Sequence, residues 1–339
     1  MNPTAHLVEH ATATLLGLAV GDALGMPTQS MSRGRIASTY GTIDGLRDAA
    51  ADQPIAPSMP AGSITDDTEQ ALLLGDLLIA GGGRIDPRRF ADALAEWERV
   101  MEAKGSADLL GPSTKAAIAA IQNGASAADD PGRYGTTNGA AMRIAPVGIA
   151  FPSAPEMLLP AVLDASRLTH NTGLGLSAAA AVGAAISYAL DHPAATVGDV
   201  VAAAADAADA AAPDGNWIAG GAIGARIRWA TAAIVEMDAA AALAFVTDVV
   251  GTSVASQESI PATFALIARF GDEPYQALLH AASIGGDTDT VAAMAGAVLG
   301  AIHGASAWPD DVAERVIAVN DLDLEPLVRS LLELRSAAG

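Results

Sequence analysis

The segment GLAVGDALG, residues 17–25, places a glycine at every fourth position of an apolar stretch. Residues four apart lie on one face of a helix, and glycine on that face leaves room for another backbone. Gly296 and Gly300 repeat the spacing near the far end of the chain. The pattern therefore predicts two helices that pack closely against neighbours. Asp22, inside the first segment, is predicted to be buried and to need a polar partner.

Helical periodicity continues through the rest of the chain. Further helices are predicted over residues 66–80, 87–101, 139–150, 154–168, 173–190, 197–211, 219–234, 239–249, 261–269, 274–283, 287–302, 310–319 and 324–334, and another after residue 114. Valine and isoleucine occur inside alanine-rich helical patterns, so strand signals are almost absent. Because no linker divides the chain, we predict an all-α fold with a single domain over residues 1–339.

Composition excludes several classes of function. The chain has 339 residues, no cysteine and a formal net charge of −21. Without cysteine, a disulfide, a thiolate zinc site and a cysteine nucleophile are excluded. The acidity disfavours a nucleic-acid partner, since phosphates need a basic stripe. The first residues do not resemble a signal peptide, and the apolar tracts have the small residues of close-packed helices. We therefore expect a cytoplasmic protein without a membrane partner.

Two acidic clusters lie where helices are predicted to begin, GSITDDTE at residues 62–69 and GGDTDT at residues 285–290. Side chains at a helix start can fan around one point, because the N-cap residue has a different backbone angle. Their carboxylate and hydroxyl oxygens suit Mg²⁺, Mn²⁺ or Ca²⁺ better than zinc. If folding brings the clusters together, they could hold one or two such ions. The irregular segment 39–62 is expected to cover this site.

Ordinary helix capping is the alternative interpretation of each cluster. Ser63 or Thr65 could cap the first helix, with acidic residues in its first turn. However, two Asp-Thr clusters that both follow glycine favour a shared role more than either does alone. Close carboxylates also repel each other unless a cation or a proton lies between them.

Two other segments combine polar, small and cationic residues. In TTNGAAMR, residues 136–143, a closing backbone would place Arg143 near a phosphate or carboxylate, and a turn with an N-cap is the alternative. In SRLTHN, residues 166–171, His170 lies at a predicted helix break. The nearby GLG does not form a dinucleotide-binding loop, because no strand precedes it. The sequence contains no P-loop, zinc helix motif or nucleophile elbow.

Taken together, these segments resemble the ADP-ribosylglycohydrolase family. This family includes ADP-ribosylarginine and ADP-ribosylserine hydrolases, the dinitrogenase reductase-activating glycohydrolase and J1-type crystallins. The matching motifs are GDALG (21–25), TDDT (65–68), NGAAMR (138–143), Thr169-His170 and GGDTDT (285–290). They occur in the family's order and span most of the chain. The resemblance implies an all-α, orthogonal multi-helix bundle with a binuclear Mg²⁺ or Mn²⁺ centre in a cleft.

The resemblance also implies roles for individual residues. The metal ligands would be Thr65, Asp66, Asp67, Asp287, Asp289 and Thr290. The ADP-ribose site would be lined by Gln29, Asn138, Gly139, Met142, Arg143 and His170. Members hydrolyse the glycosidic bond of an ADP-ribosyl group carried by a protein or a small molecule, and two ions would position the ribose and the water. Helix N-termini could hold the diphosphate. We expect a monomer or a weak homo-oligomer.

Gln29 departs from the family pattern, because many members carry a glutamate seven residues after the aspartate of the Gly-Asp motif. An amide cannot take a proton as a carboxylate can, so we assign the catalytic base to Asp67 or Asp289 as a hypothesis. One alternative keeps the metal centre but hydrolyses a different ribosyl or nucleotide-sugar metabolite. Another is a non-catalytic, crystallin-like ADP-ribose binder, against which the complete set of candidate ligands argues.

Overall fold

A computed structural model describes residues 3–103 and 111–338, and within these ranges the chain forms 17 α-helices and no strand. The helices are α1 (Pro3–Gly25), α2 (Arg33–Tyr40), α3 (Asp66–Ala80), α4 (Pro87–Ala103), α5 (Pro112–Gln122), α6 (Gly139–Met142), α7 (Ala145–Ala150), α8 (Pro155–His170), α9 (Gly173–Asp191), α10 (Val197–Ala211), α11 (Ile223–Ile234), α12 (Ala239–Phe245), α13 (Ser256–Phe270), α14 (Pro274–Ala281), α15 (Thr288–His303), α16 (Asp310–Asn320) and α17 (Leu324–Ala338). The all-α prediction is confirmed.

The glycine-spaced segments at the two ends of the chain pack against each other. A Cβ added to Gly21 would lie 2.1 Å from the carbonyl oxygen of Ala292, and one added to Gly296 would lie 2.0 Å from that of Gly17. Real Cβ atoms do not approach backbone this closely. Helices α1 and α15 therefore touch backbone to backbone, as the spacing predicts, and no other residue type fits at these positions.

Helix α9 lies in the centre of the bundle. From Leu174 to Leu190 every residue except Tyr188 is buried, and these residues join one continuous aliphatic core with α1, α8, α10 and α15. Alanine, glycine and serine dominate this helix, so neighbouring helices can approach it on every side. A helix that is apolar all round is therefore explained by its central position.

Among the residues that the structure describes, three helical stretches are long and apolar enough to cross a membrane by length and composition alone, namely Ala5–Thr28, Gly173–Asp191 and Thr288–Ala307. Between 72% and 89% of the apolar window in each stretch is buried inside the protein. Packing against other helices therefore accounts for their apolar character.

Proline determines two differences between the predicted and observed helices. The predicted helix over 139–150 is two helices, α6 and α7, because Pro146 occupies the first turn of α7 and cannot continue a preceding helix. Helix α13 begins at Ser256, before Pro261, which lies inside it. Pro261 has no N–H for the carbonyl oxygen of Gln257, and Arg226 Nε donates to that oxygen instead, at 2.5 Å.

Two more differences have no proline origin. Helix α2, which the hydrophobic pattern does not predict, forms over a short polar stretch and begins with Ser32 as a side-chain N-cap. Helix α11 begins at Ile223, later than residue 219, because Gly220 and Gly221 precede it in a non-helical segment. Between Gly41 and Thr65 the chain has no helix, so the prediction for the irregular segment 39–62 holds except for Thr39 and Tyr40, which end α2.

Candidate functional site

The two acidic clusters lie at helix starts that meet in the bundle. Thr65 is the N-cap residue of α3, with Asp66 and Asp67 in its first turn. Asp287 holds the same position before α15. The hydroxyl of Thr290 lies 3.3 Å from Asp67 Oδ2, a contact across 223 residues of sequence. Folding therefore joins the two clusters into one site.

Glycine geometry fixes the position of the second cluster. Gly285 and Gly286 both have a φ of 78°, which is unfavourable for residues with a side chain. A Cβ on Gly286 would lie 2.4 Å from the carbonyl oxygen of Thr252. That same oxygen accepts a hydrogen bond of 2.7 Å from the backbone N–H of Asp287. The paired glycines thus place Asp287 against a neighbouring loop and aim its side chain at the first cluster.

Asp22 of α1 organises the first cluster. It is fully buried, and its carboxylate accepts hydrogen bonds from the backbone N–H groups of Thr65 and Thr68, at 2.9 and 3.2 Å. It also accepts from both threonine hydroxyls, at 2.7 and 2.6 Å. The prediction that Asp22 is buried and partnered is confirmed. Asp22 thus caps α3 from a different helix.

The capping interpretation of the clusters fails in the structure. Neither the Thr65 nor the Asp287 side chain accepts a hydrogen bond from a described backbone N–H in the first turn of its own helix. Asp22 accepts hydrogen bonds from the backbone N–H groups at the start of α3 instead. The carboxylates of Asp66 and Asp67 are therefore not used in capping.

The carboxylates share a buried, strongly acidic environment. Burial and the neighbouring carboxylates raise the pKa of Asp66, Asp67 and Asp289 well above the ordinary range. Burial also raises the pKa of Asp287, against hydrogen bonds from neighbouring side chains. For Asp22, burial raises the pKa to about 6, although four hydrogen bonds act in the opposite direction. The cluster therefore needs protons or a cation to offset its charge.

Two of these carboxylates have oxygens without hydrogen-bond partners. Asp67 Oδ1 and both carboxylate oxygens of Asp289 are buried and accept no hydrogen bond in the described structure. A buried, unpartnered carboxylate oxygen is costly. Together with the threonine hydroxyls, these atoms form an all-oxygen donor set of the kind that Mg²⁺ and Mn²⁺ prefer. The residues present fit such an ion.

The fit needs some movement of the side chains. Within residues 3–103 and 111–338, no three acidic or histidine side chains already surround one point as a preformed metal site would have them. Like charges without a counter-ion hold such side chains apart. To hold an ion together, Asp67, Asp287 and Asp289 would have to turn toward a common point.

A cavity of about 300 Å³ opens beside the cluster. Its walls include four of the predicted substrate-binding residues, Gln29, Asn138, Gly139 and Met142, and three of the candidate ligands, Asp66, Asp287 and Thr290. Asn138 Nδ2 donates to Asp287 Oδ2 at 2.6 Å, which connects the substrate wall to the acidic cluster. A larger surface cleft of about 650 Å³, beside Phe151 and Arg167, contains none of the candidate residues.

The irregular segment 39–62 contributes to one wall of this cavity. Ile55 lines it, and the amide of Gln53 donates to the carbonyl oxygen of Gln29, at 3.1 Å. Gln29 Oε1 itself is buried and has no hydrogen-bond partner among the described residues. The segment therefore adjoins the site, as its position before the first cluster predicts.

Arg143 and His170 lie behind the cavity wall. Both are fully buried, and neither is among the residues that line the cavity. Arg143 donates to Gln70 and to Thr169, so its guanidinium is engaged inside the protein. In this arrangement neither side chain reaches the space where a substrate would lie. Sequence reasoning missed Gln70, because a single glutamine just after the first turn of a helix carries no local signal.

The chain is similar in sequence to known proteins. A sequence model described as ADP-ribosylglycohydrolase matches residues 3–339. The chain is 31% identical to the uncharacterized protein YegU of Escherichia coli over 333 residues, which cover 96% of this chain and 97% of the relative. It is 31% identical to the ADP-ribosyl-[dinitrogen reductase] glycohydrolase of Rhodospirillum rubrum, over 55% of this chain and 59% of that protein.

The fold has a relative among solved structures. A chain described as an ADP-ribosylglycohydrolase-related protein complex superposes with a TM-score of 0.68 and 24% identity. The match covers 97% of this chain and 99% of the solved one. At this identity the likeness concerns the all-α fold.

Proposed function

The chain belongs to the ADP-ribosylglycohydrolase family, and we propose that it is a metal-dependent hydrolase that releases ADP-ribose from an ADP-ribosyl conjugate. The family consists of glycohydrolases, so hydrolysis is its common chemistry. We further propose that the joined acidic clusters hold a binuclear Mg²⁺ or Mn²⁺ centre. The cavity beside them would be the substrate site.

One observation carries the proposal. Among the described residues, buried carboxylate oxygens of Asp67 and Asp289, from opposite ends of the chain, have no hydrogen-bond partners. They lie directly behind the wall of a cavity of about 300 Å³, since Asp67 contacts Thr290, which lines that cavity. A structural role would satisfy these atoms, because unpartnered buried carboxylates destabilise the fold. A cation, a substrate hydroxyl or an attacking water supplies what they lack. Such atoms are typical of a functional site.

The chain's own residues have distinct tasks in this proposal. Thr65, Asp66, Asp67, Asp287, Asp289 and Thr290 would hold the ions, which, when bound, stabilise negative charge and orient hydroxyl groups. Asn138 keeps Asp287 turned toward the cavity through its 2.6 Å hydrogen bond. Asp67 or Asp289 would take the proton of the attacking water. Gln29 at the cavity wall cannot do so, because an amide does not accept a proton as a carboxylate does. The cavity walls limit the access of other waters.

Hydrolysis with and without a chelator tests the proposal. With MgCl₂, the protein is expected to release ADP-ribose from ADP-ribosylated arginine or serine, measured by chromatography of the free nucleotide. EDTA is expected to stop the release, and excess Mg²⁺ or Mn²⁺ to restore it. The matched control is EDTA already saturated with Ca²⁺ or Zn²⁺ in separate samples. Release that continues unchanged after complete removal of divalent ions would contradict the metal-dependent mechanism.

Gln29 favours a second candidate substrate class. Its amide replaces the glutamate common in the family, so the protein could act on a different ribosyl or nucleotide-sugar metabolite with the same centre. The same assay with free ribosyl metabolites separates the two. Metal-dependent turnover of a metabolite but of no ADP-ribosyl conjugate supports the second candidate. Tight ADP-ribose binding without turnover of any compound supports a non-catalytic binder.

Thermal stability is expected to depend jointly on metal and pH. In the metal-free protein, the raised pKa values of Asp66, Asp67 and Asp289 stabilise the fold fully below the ordinary aspartate pKa of about 3.9. That stabilisation is lost as pH rises through their folded-state values. Mg²⁺ competes with these protons, so the rise in Tm that it causes should grow from acidic to alkaline pH.

Differential scanning fluorimetry at several pH values measures this effect. At about 100 times the dissociation constant, the ion should add about 2.7 kcal/mol. NaCl at equal ionic strength is the control and should not reproduce the pH-dependent shift. A Tm increase that is the same at pH 5 and pH 8, within about 1 °C, would show that Mg²⁺ does not bind at the carboxylates.

A further inference from the structure

Arg143 is a buried cation without a carboxylate partner. Its side chain is fully enclosed, its Cζ lies 5.2 Å from the centre of the Phe90 ring, and its Nε has no hydrogen-bond partner in the described part of the chain. None of the ion pairs among the described residues involves it. A buried guanidinium without an ion pair is costly. Arg143 makes two hydrogen bonds, and these indicate its role.

The first hydrogen bond leads to the acidic cluster. Arg143 Nη1 donates to Gln70 Oε1 at 3.0 Å, and Gln70 Nε2 donates to Asp66 Oδ2 at 3.3 Å. Because a guanidinium has no acceptor, the amide of Gln70 can face Arg143 only with its oxygen. Its NH₂ group is thereby turned toward Asp66. Arg143 thus fixes one carboxylate of the cluster through a glutamine one turn further along α3.

The second hydrogen bond begins a chain of hydrogen bonds that runs through His170 to Thr137. Arg143 Nη2 donates to Thr169 Oγ1 at 2.6 Å, and this hydroxyl lies 2.7 Å from His170 Nδ1. Since Thr169 accepts from Arg143, its own proton is free to point at His170 Nδ1. His170 Nε2 lies 2.9 Å from the Thr137 hydroxyl, which donates to Ser113 Oγ at 3.1 Å.

The last of these hydrogen bonds assigns the tautomer of His170. The Thr137 hydroxyl gives its only proton to Ser113 Oγ, so it accepts from His170; the ring proton therefore lies on Nε2, and Nδ1 accepts from Thr169. Burial and the charge of Arg143 hold the pKa of His170 well below its ordinary value, in agreement with a neutral ring. Thr137 and Asp66 both line the cavity. The chain of hydrogen bonds therefore ends at the same cavity as the path through Gln70.

We propose that Arg143 is a positioning residue that holds two residues lining the cavity, Asp66 through Gln70 and Thr137 through Thr169 and His170. The part that concerns Asp66 rests on the proposed function, in which Asp66 holds a metal ion. The part that concerns His170 rests only on the hydrogen-bond chain. The two parts are therefore tested by separate measurements.

Nitrogen-15 NMR of the histidine side chains tests the chain to Thr137. In the wild-type protein, His170 is expected to be neutral, with its proton on Nε2, from about pH 5 to about pH 8. Thr169→Val keeps the shape of the side chain but removes the hydroxyl, so the Nδ1 signal should shift and the second tautomer should appear. Arg143→Met should do the same, and Arg143→Lys should restore most of the wild-type signal.

Ser166→Ala is the matched control for the NMR measurement. Ser166 lies one turn earlier on α8, and its buried hydroxyl makes no hydrogen bond, so the His170 signals should not change. A wild-type His170 with its proton on Nδ1 would overturn the proposal. So would a Thr169→Val spectrum identical to that of the wild type. This result does not depend on whether the protein binds metal.

Calorimetric titration with MnCl₂ alone tests the connection to Asp66. Gln70→Met removes the amide while keeping a side chain of similar length, and it is expected to weaken Mn²⁺ binding by about 10–100-fold. A purely structural role for Gln70 would lower Tm but leave the Mn²⁺ affinity within about twofold, and that result overturns the connection. If the wild-type protein binds no Mn²⁺, the proposed function fails, and the NMR measurement still decides the role of Arg143.

Discussion

Asp289→Asn is expected to lower the turnover of an ADP-ribosyl conjugate by on the order of 10²–10⁴-fold, the range for loss of a general base. The same variant is expected to be at least as stable as the wild type in EDTA at alkaline pH. Both carboxylate oxygens of Asp289 are buried and have no hydrogen-bond partner among the described residues, and burial together with neighbouring carboxylates raises its pKa. An amide of the same shape removes one of several like charges, and with it the repulsion.

The order of stability should reverse when metal is added. With saturating MgCl₂, the wild type should gain more in Tm than Asp289→Asn, because the amide is a weaker ligand for a hard cation. Asp76→Asn is the matched control, since Asp76 is an exposed carboxylate on α3 outside the cluster. It should keep wild-type turnover and the full metal-dependent shift. Turnover of Asp289→Asn within about tenfold of the wild type would rule out Asp289 as the base.

Gly21→Ala is expected to destabilise the protein by about 3 kcal/mol or more, at the upper end for an overpacked core. The added Cβ would lie 2.1 Å from the carbonyl oxygen and 2.4 Å from the carbonyl carbon of Ala292. Both atoms belong to the backbone of α15, which cannot rotate away as a side chain can. Helices α1 and α15 would have to separate, and Asp22 and Asp289 would separate with them. Urea unfolding followed by circular dichroism measures the loss.

Gly34→Ala is the matched control for this prediction. Gly34 also lies in a helix, α2, but a Cβ there would meet nothing within 4 Å. The substitution should leave stability unchanged or raise it by about 0.5–1 kcal/mol, because alanine loses less entropy on forming a helix. Equal stability of the Gly21→Ala and Gly34→Ala variants would contradict the close backbone contact between α1 and α15.

The sequence predicts what depends on local pattern. Periodicity and caps predict most helices, and α3 and α10 begin and end at the predicted residues. The glycine spacing predicts a close helix approach, and the buried Asp22 predicts a polar partner. The Asp-Thr clusters indicate an oxygen-rich site. Each of these inferences uses residues within about one or two helical turns, where side-chain spacing translates directly into geometry.

What the sequence could not predict depends on contacts between distant segments. No local pattern shows that Asp22 caps α3, because the two are joined only by the way the helices pack. Arg143 was expected to face a substrate, since a cation beside small polar residues suits an anion. Its inward direction is decided by Gln70 and Thr169, which lie on two other helices. The break before α7 follows from Pro146, whose effect the alanine-rich pattern concealed.

The pairing of α1 with α15 also determines when the protein can become functional during its synthesis. Half of the acidic cluster and α15, which packs against α1, are translated near the end of the chain. In a nascent polypeptide the α1 face with Gly17, Gly21 and Gly25 therefore stays exposed until α15 has been made. Contacts of such large sequence separation are costly to form and slow folding. A ribosome-bound chain that ends before residue 285 should therefore lack metal affinity, and nascent-chain folding should become complete only after the last helices emerge.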